Sequence, residues 1–172
     1  MKLQAGDRAL VTGGSYGIGE AIARELAARG VELVLLARSD ERLRELAGEL
    51  SAVRCDVLAC DLRERLPDAS ELGRVDLLVN NAGFGAMGRF ETWDGDWAAG
   101  MIDVNVRAVA ALTRAVIPQM LDRGRGGILN VASTAAFQPL PYMAEYAATK
   151  AFVLSFSRAL HVEYRSRGIT VT

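Results

Sequence analysis

The chain has 172 residues, of which 51% are hydrophobic and 24% charged, with a formal net charge of −1. Such a length and composition suit one soluble globular domain over 1–172 with enough apolar material for a core. The near-zero charge gives no support for nucleic acid or an anionic membrane surface as a partner, and no apolar stretch approaches membrane-spanning length.

Short apolar runs alternate with longer amphipathic segments along the chain. Residues 8–12 read as a strand; Ile18, Ala21, Ile22 and Leu26 then recur at helical spacing, and Gly30 ends that helix. Residues 31–37 are almost continuously apolar, as in a parallel strand buried on both faces. Ser39 suits a helix N-cap, and Leu43, Leu46, Ala47 and Leu50 mark the helix behind it. Residues 53–60 and 75–80 are further strand candidates, followed by a Gly- and Phe-rich loop over 81–92. A long helix is predicted over about 94–122, with a bend at Pro118. A strand at 127–131, a loop over 133–143, a helix over about 145–167 and a strand from 168 complete the order. Alternation of this kind predicts an α/β fold, a parallel sheet with helices on both faces and ligands beyond the carboxyl ends of the strands.

Other features narrow the setting. Residues 1–7 lack the apolar core of a signal peptide. Cys55 and Cys60 flank a single extended segment, which favours free buried thiols and, with them, a cytoplasmic location. One histidine and no Cys-x-x-Cys leave no support for a metal site.

The first strand ends in Thr12-Gly13-Gly14-Ser15-Tyr16-Gly17-Ile18-Gly19 and runs straight into a helix. Glycines there let the backbone approach a diphosphate, and the helix N-terminus supplies free N–H groups; a plain glycine turn is the competing reading. No Gly-Lys-Ser/Thr follows, so a P-loop does not fit. Far along the chain, Tyr146 and Lys150 stand four residues apart on one helix face, with Ser133 thirteen residues before Tyr146. A cation beside a phenol favours the phenolate, which makes the phenol usable in proton transfer.

Together these motifs, with Asn80-Asn81-Ala82-Gly83 after the fourth strand and Asn105 in the long helix, resemble the short-chain dehydrogenase/reductase family over nearly the whole chain. The three residues between Gly13 and Gly17 resemble its compact members. The resemblance implies a Rossmann-like, doubly wound, three-layer α/β/α domain that transfers hydride between a nicotinamide cofactor and an alcohol or ketone. It implies Tyr146 as proton donor and acceptor, Ser133 on the substrate carbonyl, Lys150 on the nicotinamide ribose, and Asn105 holding a water that links Lys150 to solvent. Gly13, Ser15, Tyr16, Gly17, Ile18, Gly19, Asp61, Asn81, Ala82 and Gly83 would bind the cofactor with Tyr146 and Lys150. A homodimer or homotetramer through the two long helices is implied as well.

After the second strand come Arg38 and Ser39, where NAD-binding folds carry an acidic residue for the ribose 2′-hydroxyl. A guanidinium and a hydroxyl suit a 2′-phosphate, so NADP(H) is expected over NAD(H); a surface charge and a helix cap are the competing reading. Tyr16 departs from the family's NADP pattern, which often has a basic residue just before the second glycine. Phe84, Phe137, Pro139, Leu140 and Met143 suggest apolar walls around the substrate.

The family's domain usually continues past a sixth strand into a further helix and strand, which are not in these residues. Ile169 and Val171 are therefore expected on an incompletely covered edge. Two readings stand at this point: an NADP-dependent oxidoreductase, or a truncated cofactor-binding fragment with little or no turnover.

Overall fold

The computed structural model describes residues 1–172 and is built on a six-stranded sheet in the order β3-β2-β1-β4-β5-β6. The strands are β1 Arg8–Thr12, β2 Glu32–Ala37, β3 Cys55–Ala59, β4 Leu77–Asn80, β5 Gly126–Asn130 and β6 Ile169–Val171. Every neighbouring pair is parallel. The helices are α1 Gly17–Ala28, α2 Asp40–Glu49, α3 Ala69–Leu72, α4 Gly95–Ile102, α5 Val109–Asp122 and α6 Ala144–Tyr164.

β2 explains the layering. Leu33 and Leu35 enter one core with Ala23, Leu26, Leu43 and Leu46 of α1 and α2. Val34 and Leu36 enter a second core with Leu112, Val116 and Met120 of α5. Alternate residues of one strand thus feed opposite cores, which is why the run is apolar throughout instead of alternating. The chain builds outward from β1 to β3, returns to place β4 beside β1, and builds outward again to β6. The crevice at that reversal, beyond the carboxyl ends of β1 and β4, is where such sheets bind ligands.

At the opposite edge, ion pairs fasten the strand starts. Buried Asp7 accepts from Arg125 Nη1 and Nη2 at 2.7 and 2.6 Å, and buried Asp76 pairs with Arg74 at 2.8 Å and accepts from Arg8 N at 2.9 Å. The Arg125 contact holds the Asp7 carboxyl below its ordinary 3.8.

The structure departs from the sequence-based expectations in four places. The helix over 94–122 is not one regular α-helix: Pro118 lies within α5, and before α5 the helix widens into a π-helical stretch, Asp103–Ala108, around Asn105. α3 was not anticipated, although Asp68-x-x-Glu71 is a capping box: the Asp68 carboxylate accepts from Ser70 N and Glu71 N, and Glu71 reaches back to Asp68 N. Ile169 and Val171 are 1% and 2% exposed, so their side chains are covered; Leu160 and Tyr164 of α6 pack against the same core. Cys55 and Cys60 carry free thiols, but Cys55 is only half-buried, with burial pushing its thiol up to about 11. No helix is long and apolar enough to cross a membrane.

Candidate active site

The turn after β1 is seated directly on the loop after β4. Gly13 has φ +65°, and a Cβ there would stand 2.9 Å from both Ala82 Cα and Asn81 Nδ2, so only glycine fits. Thr12 fastens the two segments. Its Oγ1 accepts from Asn81 N and Ala82 N, each at 3.0 Å, and donates to Val79 O at 3.2 Å. Asn81 Nδ2 returns bonds to Thr12 O and Gly13 O at 3.0 and 3.2 Å. α1 starts at Gly17, and its N-cap Tyr16 makes no side-chain capping bond. The first-turn N–H groups are thereby left for an anion.

A cleft of about 440 Å³ lies over the ends of the first four strands, lined by Gly13, Ser15, Arg38, Asp61, Arg63 and Trp97 among others. Asp61 accepts from Arg63 N, Nε and Nη2 at 2.9, 3.1 and 2.6 Å. That pairing, with Arg38 adding to the field, holds the Asp61 carboxyl below 3.8. Ser39 caps α2, accepting from Arg42 N at 3.3 Å. Position 16 lacks a basic side chain, but the Arg42 guanidinium stands 5.5 Å from the centroid of the Tyr16 ring.

A second cleft, about 600 Å³, shares Gly13, Ser15 and Ala82 to Gly85 with the first and continues past Asn81, Tyr16 and Ile18 to Tyr146 and Lys150. Lys150 is 6% exposed and pairs with no carboxylate; its Nζ donates to Val131 O at 2.7 Å and lies 5.9 Å from the Tyr146 ring centroid. Burial pulls its pKa below 10.5, so its proton is given up more readily than that of a free lysine. A Cβ on Gly83 would stand 3.0 Å from Asn105 Oδ1 and 3.5 Å from Lys150 Nζ, so the bare glycine opens a gap flanked by both polar groups.

Asn105 is committed on both amide atoms. Oδ1 accepts from Phe84 N at 3.1 Å, and Nδ2 donates to Phe84 O at 2.9 Å and Thr149 Oγ1 at 3.1 Å. Its side chain therefore holds the loop after β4 against α6. Ser133 follows β5 but does not line the Tyr146 cleft; its Oγ accepts from Ala135 N at 3.1 Å, which leaves the hydroxyl proton free to donate. Of the expected apolar walls, Phe84 and Met143 line that cleft, whereas Phe137, Pro139 and Leu140 line a separate apolar groove with Ala144, Ala147, Ala148 and Ala151. The bonds made by Thr12 and Thr149 and the placement of Arg63 and Trp97 were not foreseen. Thr12 alone carried a signal, as the last strand residue before the glycine turn.

Residues 7–172 match the family model for short chain dehydrogenase. The chain belongs to the short-chain dehydrogenase family. Among curated relatives of this family, the very-long-chain 3-oxoacyl-CoA reductase of Anas platyrhynchos is 41% identical, over 95% of this chain and 56% of that protein. The short-chain dehydrogenase from Sphingobium yanoikuyae, solved in complex with NADPH, is 37% identical with a TM-score of 0.90, covering 96% of this chain and 68% of that one. The bulky-bulky ketone specific alcohol dehydrogenase from Comamonas testosteroni is 35% identical with a TM-score of 0.90, covering 96% and 70%. The chain spans little more than half the length of the curated relatives it matches.

Proposed function

We propose that this chain carries the reaction centre of an NADP(H)-dependent oxidoreductase that interconverts a ketone and a secondary alcohol. The observation that carries the reading is the shared cleft: the Gly13 turn and uncapped α1 start open into the same space as Tyr146 and Lys150. The residues fit a dinucleotide, with the diphosphate on the α1 N–H groups and the adenosine in the cleft beside Asp61 and Trp97. The cofactor, when bound, supplies or accepts the hydride.

The side chains do the rest. In ketone reduction Tyr146 Oη gives its proton to the carbonyl oxygen as charge develops there. Ser133, next in the chain to Ala132 of that cleft wall, is assigned to the same oxygen on the strength of its free hydroxyl proton, its Oγ already accepting from Ala135 N; it would have to turn towards the cleft when substrate binds. Lys150's ammonium beside the ring favours the phenolate left behind, and its burial makes it a readier proton donor than a free lysine. Alcohol oxidation runs these steps backwards. Tyr146→Phe should still quench and bind NADPH, while turnover falls by at least about 100-fold. Wild-type turnover in that variant would sink the assignment.

NADP(H) over NAD(H) is supported by Arg38 in the cleft wall, by Ser39 beside it, and by the NADPH bound to the Sphingobium yanoikuyae relative. Arg38→Asp should cost at least about tenfold in preference for NADPH, or about 1.4 kcal/mol. The substrate class is a ketone or 3-oxoacyl thioester with apolar bulk, in line with Phe84 and Met143 in the wall and with the substrates named for the relatives. Pairing of two copies through α5 and α6 is part of the same proposal, testable by sedimentation. The second reading is cofactor binding with little turnover. NADPH binding without oxidation across a panel of bulky ketones would select it.

A further inference from the structure

Gly85 sits where the two clefts meet and belongs to the wall of both. A Cβ placed on it would stand 2.8 Å from Tyr146 Cγ and 2.9 Å from Tyr146 Cε2, and nearer still to Cδ2. Ordinary van der Waals contact begins at 3.4 Å, so the ring lies flat against bare backbone with no room for a methyl group. The loop has little freedom to back away. On one side of Gly85, Asn105 grips both the N–H and the carbonyl of Phe84. On the other, Gly88 N donates to Tyr142 O at 2.8 Å. Tyr142 has φ 65°, a strained value for a residue other than glycine, and a Cβ on Gly88 would stand 2.6 Å from Trp93 Nε1, so both partners of the tether are closely constrained. Gly85 and Tyr146 line the same cleft, so any side chain at 85 displaces the phenol from its place in that wall.

We infer that Gly85 is a positioning residue: its missing side chain sets the plane and depth of the Tyr146 ring, and with them where the hydroxyl meets a carbonyl oxygen. Glycine is required here by contact, not by backbone conformation, because Gly85 does not have a positive φ. The inference rests on the reading of Tyr146 as proton donor for its consequence in catalysis, but the ring placement stands apart from it.

The test compares wild type with Gly85→Ala, using Gly48→Ala as the control because a Cβ there meets nothing within 4 Å. Tyrosine ring carbons are labelled with ¹³C, and the Tyr146 signal is identified by its loss in Tyr146→Phe. In Gly85→Ala that signal should move while those of Tyr16 and Tyr164 stay, and NADPH affinity should remain within about threefold of wild type. Turnover should fall by up to about 100-fold with little change in the KM for NADPH, since bringing the ring to ordinary contact moves it by about 1 Å and misplacement on that scale costs up to about 100-fold. In the Tyr146→Phe background the same change should cost less than about twofold, because the group it displaces is gone. An unmoved Tyr146 signal, or equal losses in both backgrounds, overturns the inference. If wild type shows no turnover, the oxidoreductase reading fails and the ring signal still decides the role of Gly85. If Gly85→Ala does not fold, Tyr146→Ala in the same chain should restore folding by removing the clash; failure to do so also overturns it.

Discussion

Replacing Thr12 by valine keeps the shape of the side chain and removes one oxygen. That oxygen, 1% exposed as part of Thr12, holds the glycine turn to the loop after β4 through three hydrogen bonds. Their loss is not equal. Asn81 N also lies 3.1 Å from Val79 O, so it keeps an acceptor. Ala82 N has only the Thr12 hydroxyl, in a part-buried bond on the cleft wall, and losing such a bond costs about 0.5–1.5 kcal/mol. Adding the weakened Asn81 bond gives about 1–2 kcal/mol for Thr12→Val, a sizeable part of the 5–15 kcal/mol typical of a domain. Thr12→Ser keeps the oxygen and loses one methyl group, about 0.8 kcal/mol. Urea unfolding followed by Trp93 and Trp97 fluorescence separates the two, provided the m-value is unchanged. NADPH affinity should fall in the valine variant and hold in the serine variant. A valine variant within about 0.5 kcal/mol of wild type, or a serine variant as weak as valine, would refute the role of the hydroxyl.

Lys150→Met should remove turnover yet raise stability by about 1 kcal/mol at pH 7, because it deletes a buried charge that has no carboxylate partner. The folded pKa of Lys150 lies below 10.5, so the cost of its charge fades as pH rises through that pKa, and the gap between the two proteins should close towards pH 10.5. Asp7→Asn should cost about 2 kcal/mol at neutral pH by weakening the paired bonds from Arg125. The folded pKa of Asp7 is below 3.8, so its contribution is complete above that pH and is lost as pH falls through the folded value; urea titrations of wild type and variant should converge there. Asn105→Ala leaves Phe84 N and O without their partner and should lower stability by about 2–3 kcal/mol, with faster hydrogen exchange at Phe84 as the local readout.

The fold was legible because its determinants are local. Apolar runs, helical spacing, the Ser39 cap and the glycine turn each lie within a few residues, and the six strands with α1, α2 and α6 appear close to where they predict them. The placement of Tyr146 and Lys150 on one helix face was legible for the same reason. Features that depend on distant partners were not. Asp61 is an ordinary loop carboxylate until Arg63 folds back on it across the cleft wall. Arg42 reads as a helix surface charge until α1 brings the Tyr16 ring under it. Phe137 and Met143 look alike as apolar loop residues, yet the loop's course sends them to different grooves.

Asn105 makes the point sharpest. Pro118 was the one visible irregularity in the long helix, and α5 carries it without ending. The widening comes at Asp103–Ala108, where the local sequence, Asp-Val-Asn-Val-Arg-Ala, contains no helix breaker. Its cause lies elsewhere: Phe84 and Thr149 stand 21 and 44 residues away in sequence, and together they claim both atoms of the Asn105 amide. A π-helical turn places that amide where a regular turn would direct it differently, and such turns recur at functional sites. The same bonds fix the loop on which the Tyr146 ring lies and hold Asn105 Oδ1 beside the gap next to Lys150. The distortion of one helix thus sets the loop, the loop sets the phenol, and the phenol's placement is what the proposed chemistry requires.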